Sequence, residues 1–141
     1  MTHLQAAEQA ARRAGNLLRE NFHLKKEIDE AHHHDVKLAL DRKSQDLITE
    51  VLLDTFPDHA LYGEEGIAGN QDAAMQWIVD PIDGTVNYFY GIPHFCISIA
   101  LRERERKEIV MGLIYDPMLD ELWTVEQGGD PCLNGNPISC S

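Results

Sequence analysis

Two short acidic segments carry the residues whose types and spacing could support chemistry. Residues 63–66 (GEEG) follow one short predicted strand, and residues 80–87 (DPIDGTVN) follow another. Acids at strand ends can line one crevice at the edge of a sheet, and a tight turn would aim Asp80 and Asp83 at a common point. The backbone carbonyl of Ile82 would face that same point. Oxygen donors of this kind suit a hard cation such as Mg²⁺.

The second segment also offers a place for a phosphate. Gly84 and Thr85 lie where a predicted loop enters a helical turn, and free N–H groups there could hold an anion. An EF-hand is a poor match, because the third, fifth and twelfth positions counted from Asp80 hold Ile82, Gly84 and Gly91. The sequence also lacks the motifs of a phosphate loop, a serine nucleophile elbow and a zinc-binding His-Glu-x-x-His helix.

The charge distribution adds to this picture. The net charge of −12, from 12 basic and 24 acidic side chains, disfavours binding to nucleic acid and to anionic membrane surfaces. Between Lys43 and Arg102 there are nine acids and no Lys or Arg. Acids that converge need a cation if all are to stay ionised. Five of the nine are expected to be solvated surface charges: Asp46, Glu50, Asp54, Asp58 and Asp72.

The elements that must position these residues are two helices followed by a run of strands. Apolar residues recur at helical spacing over residues 4–22, and Thr2 with Gln5 could form a capping box. A second helix is predicted over residues 41–56, ended by Pro57. Strands are predicted at 61–62, 76–79, 95–101, 109–115, 122–125 and 132–133, with a hairpin tip at 102–108.

This order of elements favours a layered α+β domain. The histidines at 32–34 are interpreted as a solvated turn before the second helix, because consecutive side chains do not face one point. No apolar stretch is long enough for a transmembrane helix. The three cysteines show no Cys-x-x-Cys spacing, so the expected location is a reducing cytoplasm.

Taken together, residues 63–65 and residues 77–87 resemble the signature of the inositol monophosphatase family. The resemblance continues through residues 91–101, 115–117 and 128–138 and so covers nearly the whole chain. It implies a Mg²⁺-dependent, lithium-sensitive phosphomonoesterase acting on a small phosphorylated substrate. It also implies the family's layered α/β sandwich, of which this chain would be the first half, with an antiparallel sheet and two long helices.

Specific roles follow from the resemblance. The metal ligands would be Glu64, Asp80, Asp83 and the carbonyl of Ile82, around two or three Mg²⁺ ions in a complete enzyme. Asp41 would pair with Thr85 to orient and deprotonate the attacking water, and Glu65 would be a further acid near that water. The backbone N–H groups of Gly84 and Thr85 would hold the phosphate. Metal ions would reverse the sign of the site, activate water and neutralise the leaving alkoxide.

The resemblance also indicates what this sequence lacks. Family members are roughly twice as long, and their second half supplies an Asp in a Trp-Asp-x-Ala segment that completes a metal site. Neither Trp77 nor Trp123 is followed by Asp. Residues 1–141 are therefore interpreted as an N-terminal domain without its C-terminal domain, with one sheet face left uncovered. The full-length protein is expected to be a homodimer.

Alternative functions stay open at this point. One is the same chemistry on a sugar bisphosphate, a 3′-phosphoadenosine nucleotide or histidinol phosphate, since selectivity would reside mostly in the missing half. Another is a non-catalytic, truncated chain that binds a metal or a partner. The missing Asp favours that alternative, whereas the intact set of candidate site residues argues against it.

Overall fold

The computed structural model describes residues 1–23 and 30–140, and over residues 30–38 it describes the backbone alone. The described residues form three helices: α1 (His3–Phe22), α2 (Glu30–Thr55) and the short α3 (Thr85–Phe89). The strands are β1 (Ala60–Gly63), β2 (Gly66–Gly69), β3 (Met75–Asp83), β4 (Cys96–Glu103), β5 (Glu108–Asp116), β6 (Glu121–Glu126), β7 (Cys132–Leu133) and β8 (Asn136–Pro137). They form one sheet in the order β2-β1-β3-β4-β5-β6-β7-β8. The layered α+β prediction is confirmed.

The first helix begins at the predicted cap and buries a stripe of small residues. The Gln5 N–H donates to Thr2 Oγ1 at 3.1 Å, and the Thr2 N–H donates to Gln5 Oε1 at 2.9 Å, which completes the capping box. Small side chains let α1 approach the sheet closely: a Cβ added at Gly15 would lie 2.5 Å from the Tyr115 ring. The fully buried residues of the stripe are Ala6, Ala7, Ala10, Ala11, Ala14 and Leu18.

The second helix is longer than predicted. It ends at Thr55, close to the predicted stop before Pro57, but it begins at Glu30 rather than at Asp41. The predicted start was too late because residues 30–35 (EAHHHD) carry no apolar stripe, although nothing in them forbids a helix. The solvated turn expected at 32–34 is therefore wrong for the backbone, and those histidine side chains lie outside the described residues.

The sheet differs from the prediction in its strand pairing and in the number and bounds of its strands. It is antiparallel except for β1 and β3, which pair in parallel. Strand β2 was not predicted, because two of its four residues are glycines and strand propensity is low there. Strand β3 continues to Asp83, past the predicted end at residue 79, and the hairpin tip shrinks to residues 104–107.

One face of the sheet forms the core with α1 and α2. Alternate residues of the central strands are buried there, among them Trp77, Val79, Ile97, Ile99, Leu101, Met111, Leu113 and Tyr115. The opposite face leaves Ile114, Trp123 and Val125 exposed beside an open apolar depression of about 300 Å³. Among the described residues, no helix combines the length and the apolar character that crossing a bilayer requires.

Candidate functional site

The parallel pairing of β1 with β3 brings the two acidic segments together. Gly63 lies opposite Val79 in the register, and the Glu64 N–H donates to the Val79 carbonyl at 3.2 Å. Parallel strands end at the same edge of a sheet, so Glu64 leaves β1 beside Asp80 of β3. The two acidic segments therefore lie side by side at this edge of the sheet.

A β-bulge places Asp83 on the same face of the sheet as Asp80. In the β3–β4 register Asp80 lies opposite Ser98, and Asp83 lies opposite Cys96. Three steps along β3 thus match two steps along β4, which leaves one extra residue in β3. Side chains two residues apart share a face, so Ser98 and Cys96 share one, and their partners Asp80 and Asp83 share it as well. Without the bulge, the two carboxylates would point to opposite faces.

Asp80 lies close enough to Glu64 and Asp83 for both charges to affect its pKa. Burial raises the pKa of Asp80 to about 7, with further contributions from a hydrogen bond to Glu64 and from the charges of Glu64 and Asp83. The Ile82 N–H opposes this by donating to Asp80 Oδ1 at 3.3 Å. At neutral pH a protonated Asp80 can donate to Glu64 and reduce the repulsion. A cation would have the same effect with all three groups ionised.

The carboxylates of Glu64, Asp80 and Asp83 are chemically suited to a hard divalent cation. Their side chains are not arranged around a single point. Among the described residues, no group of three or more Asp, Glu, His or Cys side chains is arranged to hold a metal ion. Glu64 and Asp83 are exposed, and Asp80 is half-buried. Carboxylate oxygens are the ligands that Mg²⁺ prefers, and Mg²⁺ usually retains several waters, so it does not need a complete set of protein ligands.

Helix α2 contacts the backbone of both acidic segments through two buried polar side chains. Ser44 Oγ donates to the Pro81 carbonyl at 3.0 Å. Gln45 Oε1 accepts from the Glu65 N–H at 2.9 Å, and Gln45 Nε2 donates to the Gly66 carbonyl at 3.1 Å. These two residues were missed by the sequence analysis. A signal for them was present in the sequence. The buried apolar stripe of Ile48, Val51 and Leu52 continues at helical spacing toward the N-terminus of α2, where the next positions are Ser44 and Gln45.

Asp41 extends that same stripe by one more turn. It lies three and four residues before Ser44 and Gln45 and is only 5% exposed, so it lies on the buried face of α2. Its predicted pairing with Thr85 remains a prediction. Glu65 is half-buried and is held at its backbone N–H by Gln45. Its predicted role near the attacking water also remains a prediction.

The predicted phosphate-binding residues lie directly after the bulge. Gly84 is the N-cap of α3 and has φ 96°, a left-handed conformation that favours glycine. A Cβ at this position would lie 3.1 Å from the His94 carbonyl oxygen. Thr85 is the first residue of α3, and the first N–H groups of a helix have no intrahelical partner. This geometry is compatible with phosphate binding, which remains a prediction.

A cavity of about 400 Å³ opens beside Asp83. Its wall includes Cys96, whose Sγ lies 3.9 Å from Asp83 Oδ2. Burial first, and then the neighbouring carboxylates, raise the pKa of the Cys96 thiol to about 11. A thiol with that pKa stays protonated at neutral pH and is a poor nucleophile. The cavity can therefore receive a ligand next to the carboxylates without offering a covalent route through cysteine.

Comparisons with known proteins identify the family. A model of the inositol monophosphatase family matches residues 2–141. A protein of Haemophilus influenzae named Nus factor SuhB is 39% identical over 134 residues, 93% of this chain and 49% of its own length. Inositol monophosphatase 1 of Solanum lycopersicum is 39% identical over 142 residues, 98% of this chain and 51% of its own length.

A solved structure shows the same fold. The extragenic suppressor protein SuhB of Bartonella henselae superimposes with a TM-score of 0.82 at 34% identity, over 98% of this chain and 53% of that protein. The chain thus spans about half the length of the relatives it matches. The predicted family resemblance and the predicted first-half architecture are both confirmed.

Proposed function

Because the chain belongs to the inositol monophosphatase family, we propose that it is the N-terminal domain of a Mg²⁺-dependent phosphomonoesterase. The substrate is a small phosphate ester such as myo-inositol monophosphate. The observation that supports this most strongly is the convergence of Glu64, Asp80 and Asp83 at one sheet edge, with the pKa of Asp80 raised to about 7. Such a site repels a phosphate dianion unless cations occupy it.

In this proposal, side-chain and backbone oxygens hold the metal ion. The carboxylates of Glu64, Asp80 and Asp83 hold Mg²⁺ together with the Ile82 carbonyl. When bound, Mg²⁺ supplies the positive charge that admits the phosphate dianion and the Lewis acidity that activates water and stabilises the leaving alkoxide.

The remaining residues orient the reactants. The Asp41 carboxylate, paired with the Thr85 hydroxyl, orients the attacking water and accepts its proton. Glu65 stands near that water as a further acid. The N–H groups of Gly84 and Thr85 bind the phosphate oxygens, as helix N-termini commonly do. No covalent intermediate is required, which is consistent with the protonated state of the neighbouring cysteine.

A second domain completes the site in this proposal. The relatives are about twice as long as this chain, and the exposed apolar residues Ile114, Trp123 and Val125 lie on the sheet face away from α1 and α2. A C-terminal domain packed on that face would bury them and would bring the Asp of a Trp-Asp-x-Ala segment to the carboxylates. The complete protein would act as a homodimer in the cytoplasm and would be inhibited by lithium.

Two alternatives remain. The substrate could be a sugar bisphosphate, a 3′-phosphoadenosine nucleotide or histidinol phosphate, because the residues that would select it lie mostly in the proposed second domain. A partner-binding role without catalysis is favoured by one observation, the relative named Nus factor SuhB at 39% identity. The net charge of −12 favours a protein partner over a nucleic acid in such a role.

Substitution of Asp83 in the full-length protein tests the proposal. We expect Asp83→Asn to abolish Mg²⁺-dependent phosphate release, because the amide cannot supply an anionic ligand. The matched control is Asp54→Asn, which alters an exposed acid of α2 and should leave the rate unchanged. Phosphate release from a panel of the four substrate classes is the measurement. Near-normal turnover by Asp83→Asn would refute the metal assignment, and no release by the wild-type protein would favour the partner-binding role.

A further inference from the structure

Two neighbouring side chains of α2 reach the two acidic segments through their backbones. We propose that Gln45 and Ser44 are positioning residues that set the spacing of the carboxylates before a cation arrives. The inference rests on the proposed function, since it assigns a role within the same site. Both side chains are buried, Ser44 at 0% and Gln45 at 7% exposure, and both form hydrogen bonds with the backbones of the acidic segments.

Gln45 fixes the backbone on one side of Glu64. Its side-chain amide binds two successive groups of the turn, the Glu65 N–H and the Gly66 carbonyl. On the other side of the Glu64 Cα atom, the Glu64 N–H is bound to the Val79 carbonyl of β3. The peptide groups before and after Glu64 are thus tied to different elements. The direction of the Glu64 Cα–Cβ bond is therefore set jointly by β3 and α2.

The space above Gly63 shows how tightly this amide is seated. A Cβ added at Gly63 would lie 2.2 Å from Gln45 Oε1 and 2.4 Å from Gln45 Nε2. No side chain fits between the β1 backbone and the amide, so the strand and the helix are in direct contact there. The φ value of Gly63 does not require glycine. The close approach of the Gln45 amide is therefore the reason that a glycine is needed at residue 63.

Ser44 fixes the bulge that brings Asp83 to the face of Asp80. Pro81 lies within the bulge and has no N–H group, so its carbonyl is its one backbone hydrogen-bonding group. That carbonyl accepts the Ser44 hydroxyl at 3.0 Å. The next N–H, of Ile82, turns back to Asp80 Oδ1. The path of the chain between Asp80 and Asp83 is thus held by one hydroxyl from α2.

These contacts oppose the mutual repulsion of the carboxylates. Glu64 belongs to one segment and Asp80 and Asp83 to the other, so ionised side chains push the two segments apart. Gln45 holds the first segment and Ser44 the second, and the two residues are consecutive in one helix. Removing either one relaxes the spacing, whereas the carboxylates themselves remain. Outer residues that orient metal ligands typically contribute about 10-fold to 100-fold to metal affinity.

Calorimetric titration of the full-length protein with Mg²⁺ alone tests the inference. Gln45→Met keeps the length of the side chain and removes both hydrogen bonds, and we expect the Kd for Mg²⁺ to rise about tenfold. Gln71→Met is the matched control, because Gln71 also donates its amide to a backbone carbonyl, that of Ala68, but outside the acidic segments.

The outcomes separate this inference from the proposed function. An unchanged Kd in a folded Gln45→Met variant, with melting temperature and circular dichroism measured in chelator, would overturn the positioning role alone. A wild-type protein that binds no Mg²⁺ would overturn both. If Gln45→Met does not fold, Ser44→Ala decides, since it removes one hydroxyl and little volume. We expect its Kd to rise severalfold, and an unchanged value would overturn the inference.

Discussion

Replacing Asp80 by Asn should stabilise the protein in the absence of metal while removing its response to Mg²⁺. The pKa of Asp80 is about 7 in the folded protein against an ordinary value of 3.8, because of burial and then of Glu64 and Asp83. The folded state therefore disfavours the ionised carboxylate. Asn is neutral and keeps an oxygen that can accept the Ile82 N–H, so the variant loses the repulsion and retains the local hydrogen bond.

The sign of the pH dependence follows from the direction of that pKa change. A carboxyl group whose pKa is raised by folding contributes stability below the unfolded pKa, near 3.8, and the stability is lost as the pH rises through about 7. At pH 8 the full gap corresponds to about 4 kcal/mol, and solvent screening of the half-buried group reduces it to about 2 kcal/mol. At pH 5 the effect should be less than half as large. For a domain of this size, 2 kcal/mol raises the melting temperature by about 6 °C.

Thermal denaturation followed by circular dichroism measures the effect. In chelator, Asp80→Asn should melt about 6 °C above the wild type at pH 8, with a smaller difference at pH 5. Saturating Mg²⁺ should raise the melting temperature of the wild type, because the ion binds the folded state, and should leave the variant nearly unchanged. Asp72→Asn alters an exposed acid away from the site and should reproduce the wild type. A variant that is no more stable at pH 8 in chelator would refute the raised pKa of Asp80, to which burial and the neighbouring carboxylates contribute.

Two further predictions concern the start of α1. Thr2→Ala should lower the free energy of unfolding by about 1 kcal/mol, measured by urea denaturation, because the capping box loses its side-chain acceptor; an unchanged midpoint would contradict the cap. The His59 ring stacks on Phe56, and the His3 ring packs against Phe56 at a tilt. Burial is the first cause that lowers the pKa of both histidines, against opposing effects of Glu126 on His3 and of Asp58 on His59. The unfolded histidines thus bind more protons below about pH 6.5, so their contribution to stability should fall as the pH drops below that value, which is opposite in sign to the contribution of Asp80. His59→Phe should weaken this pH dependence, and an undiminished slope would show that other groups cause it.

Local signals account for what the sequence predicted well. The cap of α1 depends on Thr2 and Gln5, three residues apart, and the end of α2 depends on Pro57. Strands β4 and β5 show alternating burial over most of their length, and their apolar residues predict it. The two acidic segments could also be recognised from local sequence, because each is a short run of residues.

Non-local contacts account for what the sequence could not predict. Strand β2 has little strand propensity and exists because it pairs with β1 over four residues. The parallel pairing of β1 with β3 involves segments fifteen or more residues apart, and no short motif specifies it. The bulge in β3 is visible only against the register of β4. The face on which Asp83 lies thus depends on a partner strand that the motif does not contain.

The buried stripe of α2 shows how such a contact could be found in other sequences. Ile48, Val51 and Leu52 pack in the core, and the same helical face continues toward the N-terminus with Gln45 and Ser44, both buried. A polar side chain is buried at low cost only when it is hydrogen-bonded, so polar residues that continue an apolar stripe indicate a nearby backbone with unpaired groups. Bulges and tight turns are where strands have such groups. A polar extension of an apolar helical stripe therefore indicates that the helix packs on an irregular part of the sheet, which in this protein is the part that carries the carboxylates.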